Sequence, residues 1–123
     1  MILADTSIWV DFLDHGDAVM AALIESGDIL LHPYVLGEIA LGNLKPRAPI
    51  LHDLGKLPRA CLAGPDELLA FVERHALFGS GIGYVDAHLL ASTMIAPEGL
   101  LWTRDKRLLT AAERLGVAAR PVH

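Results

Sequence analysis

Four carboxylates stand beside or within apolar runs where core side chains are expected: Asp5, Glu38, Asp86 and Asp105. Asp5 closes the opening Met-Ile-Leu-Ala, and Asp105 follows Gly99-Leu-Leu-Trp-Thr-Arg104. Glu38 and Asp86 lie inside Tyr34–Leu44 and Tyr84–Ile95. A carboxylate withdrawn from water needs a partner charge or a metal ion. Few basic residues accompany these four, which favours a shared cation. Oxygen-only donors suit a hard divalent ion, Mg²⁺ or Mn²⁺.

The elements that position these acids are legible as alternating strands and helices. Residues 1–5 read as a strand, and Ser7–Leu13 as a short helix that Thr6 or Ser7 can cap. Ala18–Glu25 is a helix closed by Ser26-Gly27, Asp28–His32 a short strand, and Pro33 opens the Glu38 helix. Three prolines, Pro46, Pro49 and Pro58, break the next stretch around one helix near Ile50–Lys56. Arg59–Ala63 reads as a short strand and Pro65–Ala76 as a helix, followed by the loose Phe78–Gly83. The Asp86 helix, a strand ending near Thr103, and a helix burying Leu108, Leu109, Ala112 and Leu115 come next, with Val117–Arg120 as a last strand.

This order predicts an α/β/α sandwich in one domain, residues 1–123, around a mostly parallel sheet of four to five strands. In such sheets the ligand crevice lies beyond the strand carboxyl ends, near the topological switch point. Asp5 and Asp105 occupy such ends. At about 100° per residue, Asp86 falls between Leu89 and Leu90, and Glu38 between Leu41 and Val35 at the edge of its apolar face.

Each acid also has a plainer reading. Asp5 and Asp105 can be helix N-caps, Asp86 an early-turn acid favoured by the helix dipole, and Glu38 the partner of a distant Lys or Arg. A common crevice accounts for all four at once.

Composition narrows the classes. A chain of 123 residues with 53% apolar side chains folds around a real core and has no disorder signature. Cys61 is the sole cysteine, which excludes an intrachain disulfide and a cysteine-based zinc site, and its apolar neighbours suggest a core position. No leader pattern opens the sequence and no apolar run spans a bilayer, so a cytoplasmic protein without membrane contact is expected. The net charge of −5 runs against nucleic-acid binding, but the clustered acids supply much of it and a bound metal inverts its local sign.

Ile-Leu-Ala-Asp5-Thr-Ser-Ile-Trp, the Glu38 helix, Gly83-Tyr-Val-Asp86-Ala-His-Leu-Leu-Ala and Leu101-Trp-Thr-Arg-Asp105-Lys-Arg-Leu together resemble the PIN domain. More narrowly, they resemble VapC-type toxins of bacterial toxin–antitoxin pairs. The resemblance covers the chain in order and length, although Pro46–Gly83 matches no motif. It implies a Mg²⁺- or Mn²⁺-dependent endoribonuclease acting on RNA and inhibited by a VapB-type antitoxin. Asp5 and Asp86 are then direct metal ligands, with Asp105 close by and Glu38 acting directly or through water. Ser7 and Thr103, and less so Thr6, are candidates to hold a ligand carboxylate or a metal-bound water.

Arg104, Lys106 and Arg107 border the acids and are candidates for RNA phosphates, alongside Lys45, Arg47 and Arg59. His88, roughly opposite Asp86 on its helix, reads as structural. His15, His32, His52, His75 and His123 show no zinc spacing, and Trp9 and Trp102 read as core or interface. Gly79-Ser-Gly-Ile-Gly83 looks like a phosphate loop but lacks its Lys-Ser/Thr ending and preceding strand.

Two acid-pocket folds fit less well. A receiver domain wants an acidic pair after the first strand, and an aspartyl phosphatase wants an acid where Ser7 stands. A non-catalytic PIN-fold module binding RNA or protein is the remaining alternative. Apolar-rich helices at Ala18–Glu25 and Tyr34–Leu44 suggest a homodimer and a groove for an antitoxin segment.

Overall fold

The computed structural model describes residues 1–121, and His123 lies outside the described residues. Ten elements follow in order: β1 (Ile2–Ala4), α1 (Thr6–His15), α2 (Ala18–Glu25), β2 (Ile29–Leu30), α3 (Pro33–Ala40), α4 (Arg47–Leu54), α5 (Pro65–Arg74), α6 (Tyr84–Ile95), β3 (Leu100–Trp102) and α7 (Lys106–Arg114). The sheet order is β2-β1-β3 and both pairings are parallel, with Ile2 opposite Ile29 and Leu100. From β1 the chain first moves to one side, then returns through four helices to the other side. The switch point therefore lies between β1 and β3, beyond Ala4 and Trp102.

The sheet is narrower than the four to five strands expected. Arg59 and Ala118 each contribute one isolated parallel bridge, to Leu31 and Leu101, so Arg59–Ala63 and Val117–Arg120 extend the sheet without forming full strands. Each flank makes two backbone bonds: Leu31 N–H to Pro58 O (2.8 Å) and Ala60 N–H to Leu31 O (3.1 Å) on one edge. On the other, Leu101 N–H bonds Val117 O (2.7 Å) and Ala119 N–H bonds Leu101 O (2.8 Å). Helix α4 begins at Arg47, three residues ahead of the expected Ile50, because Pro49 falls in its first turn, where a missing N–H removes no helical bond.

β1 is covered on both faces, with Leu3 and Ala4 essentially inaccessible, as expected of a central parallel strand. Trp9, Met20, Ile29, Leu31, Leu89, Leu90, Leu101 and Leu108 join them in the main core. Burying each such leucine is worth about 2 kcal/mol. Helix α6 packs on β1 and β3, and α5 packs on α6 through Leu68, Ala87 and Ala91. Leu108, Ala111 and Ala112 anchor α7. Trp102 is also buried, so both tryptophans are core side chains. Cys61 is exposed, against expectation, because it lies on the irregular edge segment after Arg59. Among the described residues, no helix is long and apolar enough to cross a membrane.

Candidate active site

The four acids line one cleft of about 220 Å³, together with Thr6, Ser7, Val85 and Leu89. Their burial differs from the sequence expectation. Asp5 is buried, Asp86 half-buried, and Glu38 and Asp105 are exposed at the rim. Fold topology, more than burial, gathers them. Asp5 sits at the end of β1, Asp105 three residues beyond β3, Asp86 in the first turn of α6, and Glu38 on α3.

Asp5, and neither Thr6 nor Ser7, caps α1: its Oδ1 accepts from Ile8 N–H at 3.2 Å and from Ser7 Oγ–H at 2.8 Å. Its Oδ2 accepts from the Thr103 hydroxyl, which in turn accepts from Asp105 N–H at 3.1 Å. Asp105 caps α7 by accepting from Leu108 N–H at 2.9 Å. Asp86 accepts from Gly83 N–H at 3.3 Å, and Glu38 from Thr6 Oγ–H at 3.0 Å. The capping readings of Asp5 and Asp105 are thus correct, and they coexist with the cleft. Ser7, Thr103 and Thr6 each donate a hydrogen bond to a carboxylate of the cleft.

Partial burial pushes the Asp86 carboxyl above its ordinary range, opposed by the Gly83 hydrogen bond. Asp105, Asp5 and Glu38 raise it further by like-charge repulsion. None of the four acids is paired with a Lys, Arg or His among the described residues. Arg104 is turned away: its guanidinium bonds Asp11 at 3.0 Å and holds the Asp11 carboxyl below the usual range. This partner, Asp11, is one that sequence reasoning missed. Arg104 lies 93 positions from Asp11, so no local signal marks the pair.

The donor chemistry suits a hard divalent cation, since four carboxylates share one cleft without a protein cation to neutralise them. As placed, no three His, Cys, Asp or Glu among the described residues form a ready coordination shell. Each acid is instead turned to its hydrogen-bond donor.

His88 is fully buried and makes T-shaped contacts with Tyr34 (4.8 Å between ring centroids) and Tyr84 (4.7 Å). Neither of its ring nitrogens has a hydrogen-bond partner among the described residues. Burial lowers its pKa and keeps it neutral. Aromatic packing surrounds it, a setting that suits the structural reading.

A parallel β2-β1-β3 sheet packed by helices, with an acidic cleft at its switch point, has the architecture of a PIN-type domain. Three solved structures share the fold. PAE2754 from Pyrobaculum aerophilum matches with a TM-score of 0.60 and 17% identity over 91% of this chain and 79% of that one. FitAcB from Neisseria gonorrhoeae matches at 0.59 with 20% identity over 96% and 95%, and FitAB bound to an IR36 DNA fragment at 0.60 with 20% over 96% and 92%. No family model matches the chain. It is, however, 42% identical over 118 residues to Ribonuclease VapC32 of Mycobacterium tuberculosis, covering 96% of this chain and 95% of that protein. The chain belongs to the VapC ribonuclease family.

Proposed function

We propose that this protein is a metal-dependent endoribonuclease, a toxin that hydrolyses phosphodiester bonds in RNA and is neutralised by a VapB-type antitoxin. The observation that supports the reading is the gathering of Asp5, Glu38, Asp86 and Asp105 in one cleft at the sheet switch point. Kinship with a ribonuclease supports the RNA substrate.

Asp5, Asp86 and Asp105, with Glu38 directly or through water, would hold one or two Mg²⁺ or Mn²⁺ ions. Such a cation, when bound, acidifies a water and stabilises charge on the leaving oxygen. The chain's own contribution is orientation. Ser7, Ile8 N–H and Thr103 fix both oxygens of Asp5, and Thr103 ties Asp5 to the backbone of Asp105. Thr6 restrains Glu38 across the cleft. Burial, and repulsion from the other three acids, disfavour the charged form of Asp86, which a cation would relieve. Cleavage of RNA in Mg²⁺ or Mn²⁺, abolished by excess chelator, is the expected result. Undiminished cleavage in chelator overturns the metal mechanism. A non-catalytic module would be expected to have lost an acid, and all four line the cleft.

The reading includes a homodimer and an antitoxin groove. Leu41 (90% exposed), Phe78 (64%), Leu69 (61%) and Tyr84 (59%) are large apolar side chains left in water, which supports contact surfaces. An antitoxin arginine entering the acid cleft would pair with two carboxylate oxygens and compete with the cation. Light scattering across the micromolar range reads the dimer directly.

A further inference from the structure

A second cleft, of about 320 Å³, opens beside the acid site and has the opposite character: Lys106, Arg107 and Arg114 line it with Ser80, Thr110 and Ala111. Lys106, Thr110 and Arg114 repeat at i, i+4 and i+8, and Arg107 and Arg114 at i and i+7, so one stripe of α7 carries the three cations. At 1.5 Å per residue the stripe is about 12 Å long. It starts one residue after Asp105, whose carboxylate lines the acid cleft. All three cations are exposed, and no carboxylate pairs with them among the described residues. The nearest candidate on α7, Glu113, is bound to Arg120 at 3.4 Å.

The glycine-rich loop reaches this cleft through Ser80. Gly81 has φ +84°, and a Cβ there would stand 2.9 Å from Arg107 Cδ and 3.0 Å from its Nη1. The Arg107 side chain therefore lies flat on bare backbone. The loop that looked like a phosphate cradle instead seats an arginine, which limits the conformational freedom that Arg107 loses on binding.

We propose that this stripe is the track for the RNA backbone on one side of the scissile bond, an inference that rests on the nuclease reading above. A polyanion entering a cleft with four carboxylates is repelled at the point of reaction, so its flanking phosphates need cations nearby. Lys106, Arg107 and Arg114 supply them, in a chain whose net charge is −5. Arg104, by contrast, is paired with Asp11. Phosphate contacts position a strand without reading its bases, so the track holds RNA of any sequence.

The test is fluorescence anisotropy of a labelled single-stranded RNA in chelator, so that nothing is cleaved. Lys106→Ala, Arg107→Ala and Arg114→Ala are each expected to weaken binding about fivefold at low salt. The loss should be the same for uridine-only and mixed-sequence RNA. The triple variant should flatten the slope of log K against log salt by about 2, from three phosphate contacts at about 0.7 each on a single strand. Arg74→Ala removes equal charge from the far α5 surface and should bind within about twofold of wild type. A triple variant that binds as tightly and as salt-sensitively as Arg74→Ala overturns the track, as does wild-type protein that binds no RNA at low salt. The first result would leave the groove to an acidic protein segment. The same samples with Mn²⁺ separate the two readings. Stripe-dependent binding without cleavage overturns the nuclease alone, whereas cleavage with unchanged KM in the triple variant overturns the track alone.

Discussion

Helix α6 carries an acid and a base, Asp86 and His88, two positions apart and facing opposite surroundings. Desolvation disfavours the charged form of both, raising the Asp86 pKa and lowering that of His88. The neighbours make the difference. Asp86 faces three more acids, which a cation relieves, while His88 faces the ring edges of Tyr34 and Tyr84 and is stable as a neutral group. His32 belongs to the same interior. Burial, and secondarily repulsion from His88, lowers its pKa to about 4, while Nδ1 accepts from Tyr34 N–H and Nε2 meets Ser92 Oγ. A polar side chain on an apolar helix is therefore weak evidence of function by itself. Convergence of like charge on one cleft is the stronger sign.

The largest expected effect separates these two faces. Asp5→Asn or Asp86→Asn should lower single-turnover RNA cleavage by about 100-fold or more, because each removes a charge that the cation needs. His88→Phe should retain cleavage within about threefold, since it replaces two unsatisfied nitrogens with ring carbons in an aromatic pocket. Equal losses on the two faces would break the comparison.

A smaller effect sharpens it. Thr103→Val removes the donor to Asp5 Oδ2 and the acceptor for Asp105 N–H, and Ser7→Ala removes a donor to Oδ1. Each should lower cleavage or metal affinity by about 10–100-fold, the usual range for a residue that orients a ligand. Thr6→Val should cost less, because Glu38 stands exposed at the rim. Titrating Mn²⁺ into each variant reads affinity separately from rate. Unchanged Mn²⁺ dependence in Thr103→Val would mean that Asp5 needs no such orientation.

The sequence carried the fold through alternation: β1, β3 and the helices with Glu38 and Asp86 lie where the apolar patterns place them. The edge lanes at Arg59 and Ala118 were less legible, because a single bridge at a sheet edge leaves almost the same pattern as a short strand. The gathering of the four acids was readable from strand ends and helical phase, but their burial was not. Glu38 stood at the edge of the apolar face on its wheel, and it lies exposed at the open rim of a cleft, which a wheel cannot distinguish from the margin of a core. Arg104 looked equivalent to Lys106 and Arg107. Only the tertiary approach of Asp11 diverts it, while Arg114, readable at i+7 from Arg107, joins the other two.

The smallest effects are on stability, where Asp86 in the acid cleft and the buried His32 at the start of α3 respond to pH with opposite sign. The pKa of His32 falls from 6.5 unfolded to about 4 folded, so its contribution is complete above 6.5 and is lost as pH falls through about 4. Asp86 is raised above 3.8, so its contribution is present below 3.8 and is lost as pH rises through the raised value. In chelator, Asp86→Asn should therefore melt about 2–5 °C above wild type near neutral pH, with the gain vanishing below the ordinary carboxylate range. Asn can still accept from Gly83 N–H, so the variant changes charge more than it changes contacts. His32→Asn keeps an N-cap for α3 and should flatten the melting-temperature loss between pH 6.5 and about 4, whatever its packing cost at all pH values. Added Mn²⁺ should reverse the order of wild type and Asp86→Asn, because the cation stabilises only the folded chain that holds it. If Asp86→Asn melted with wild type in chelator at neutral pH, repulsion in the cleft would be too weak to make it a cation site, whereas a flattened His32→Asn curve would still establish the neutral interior behind it.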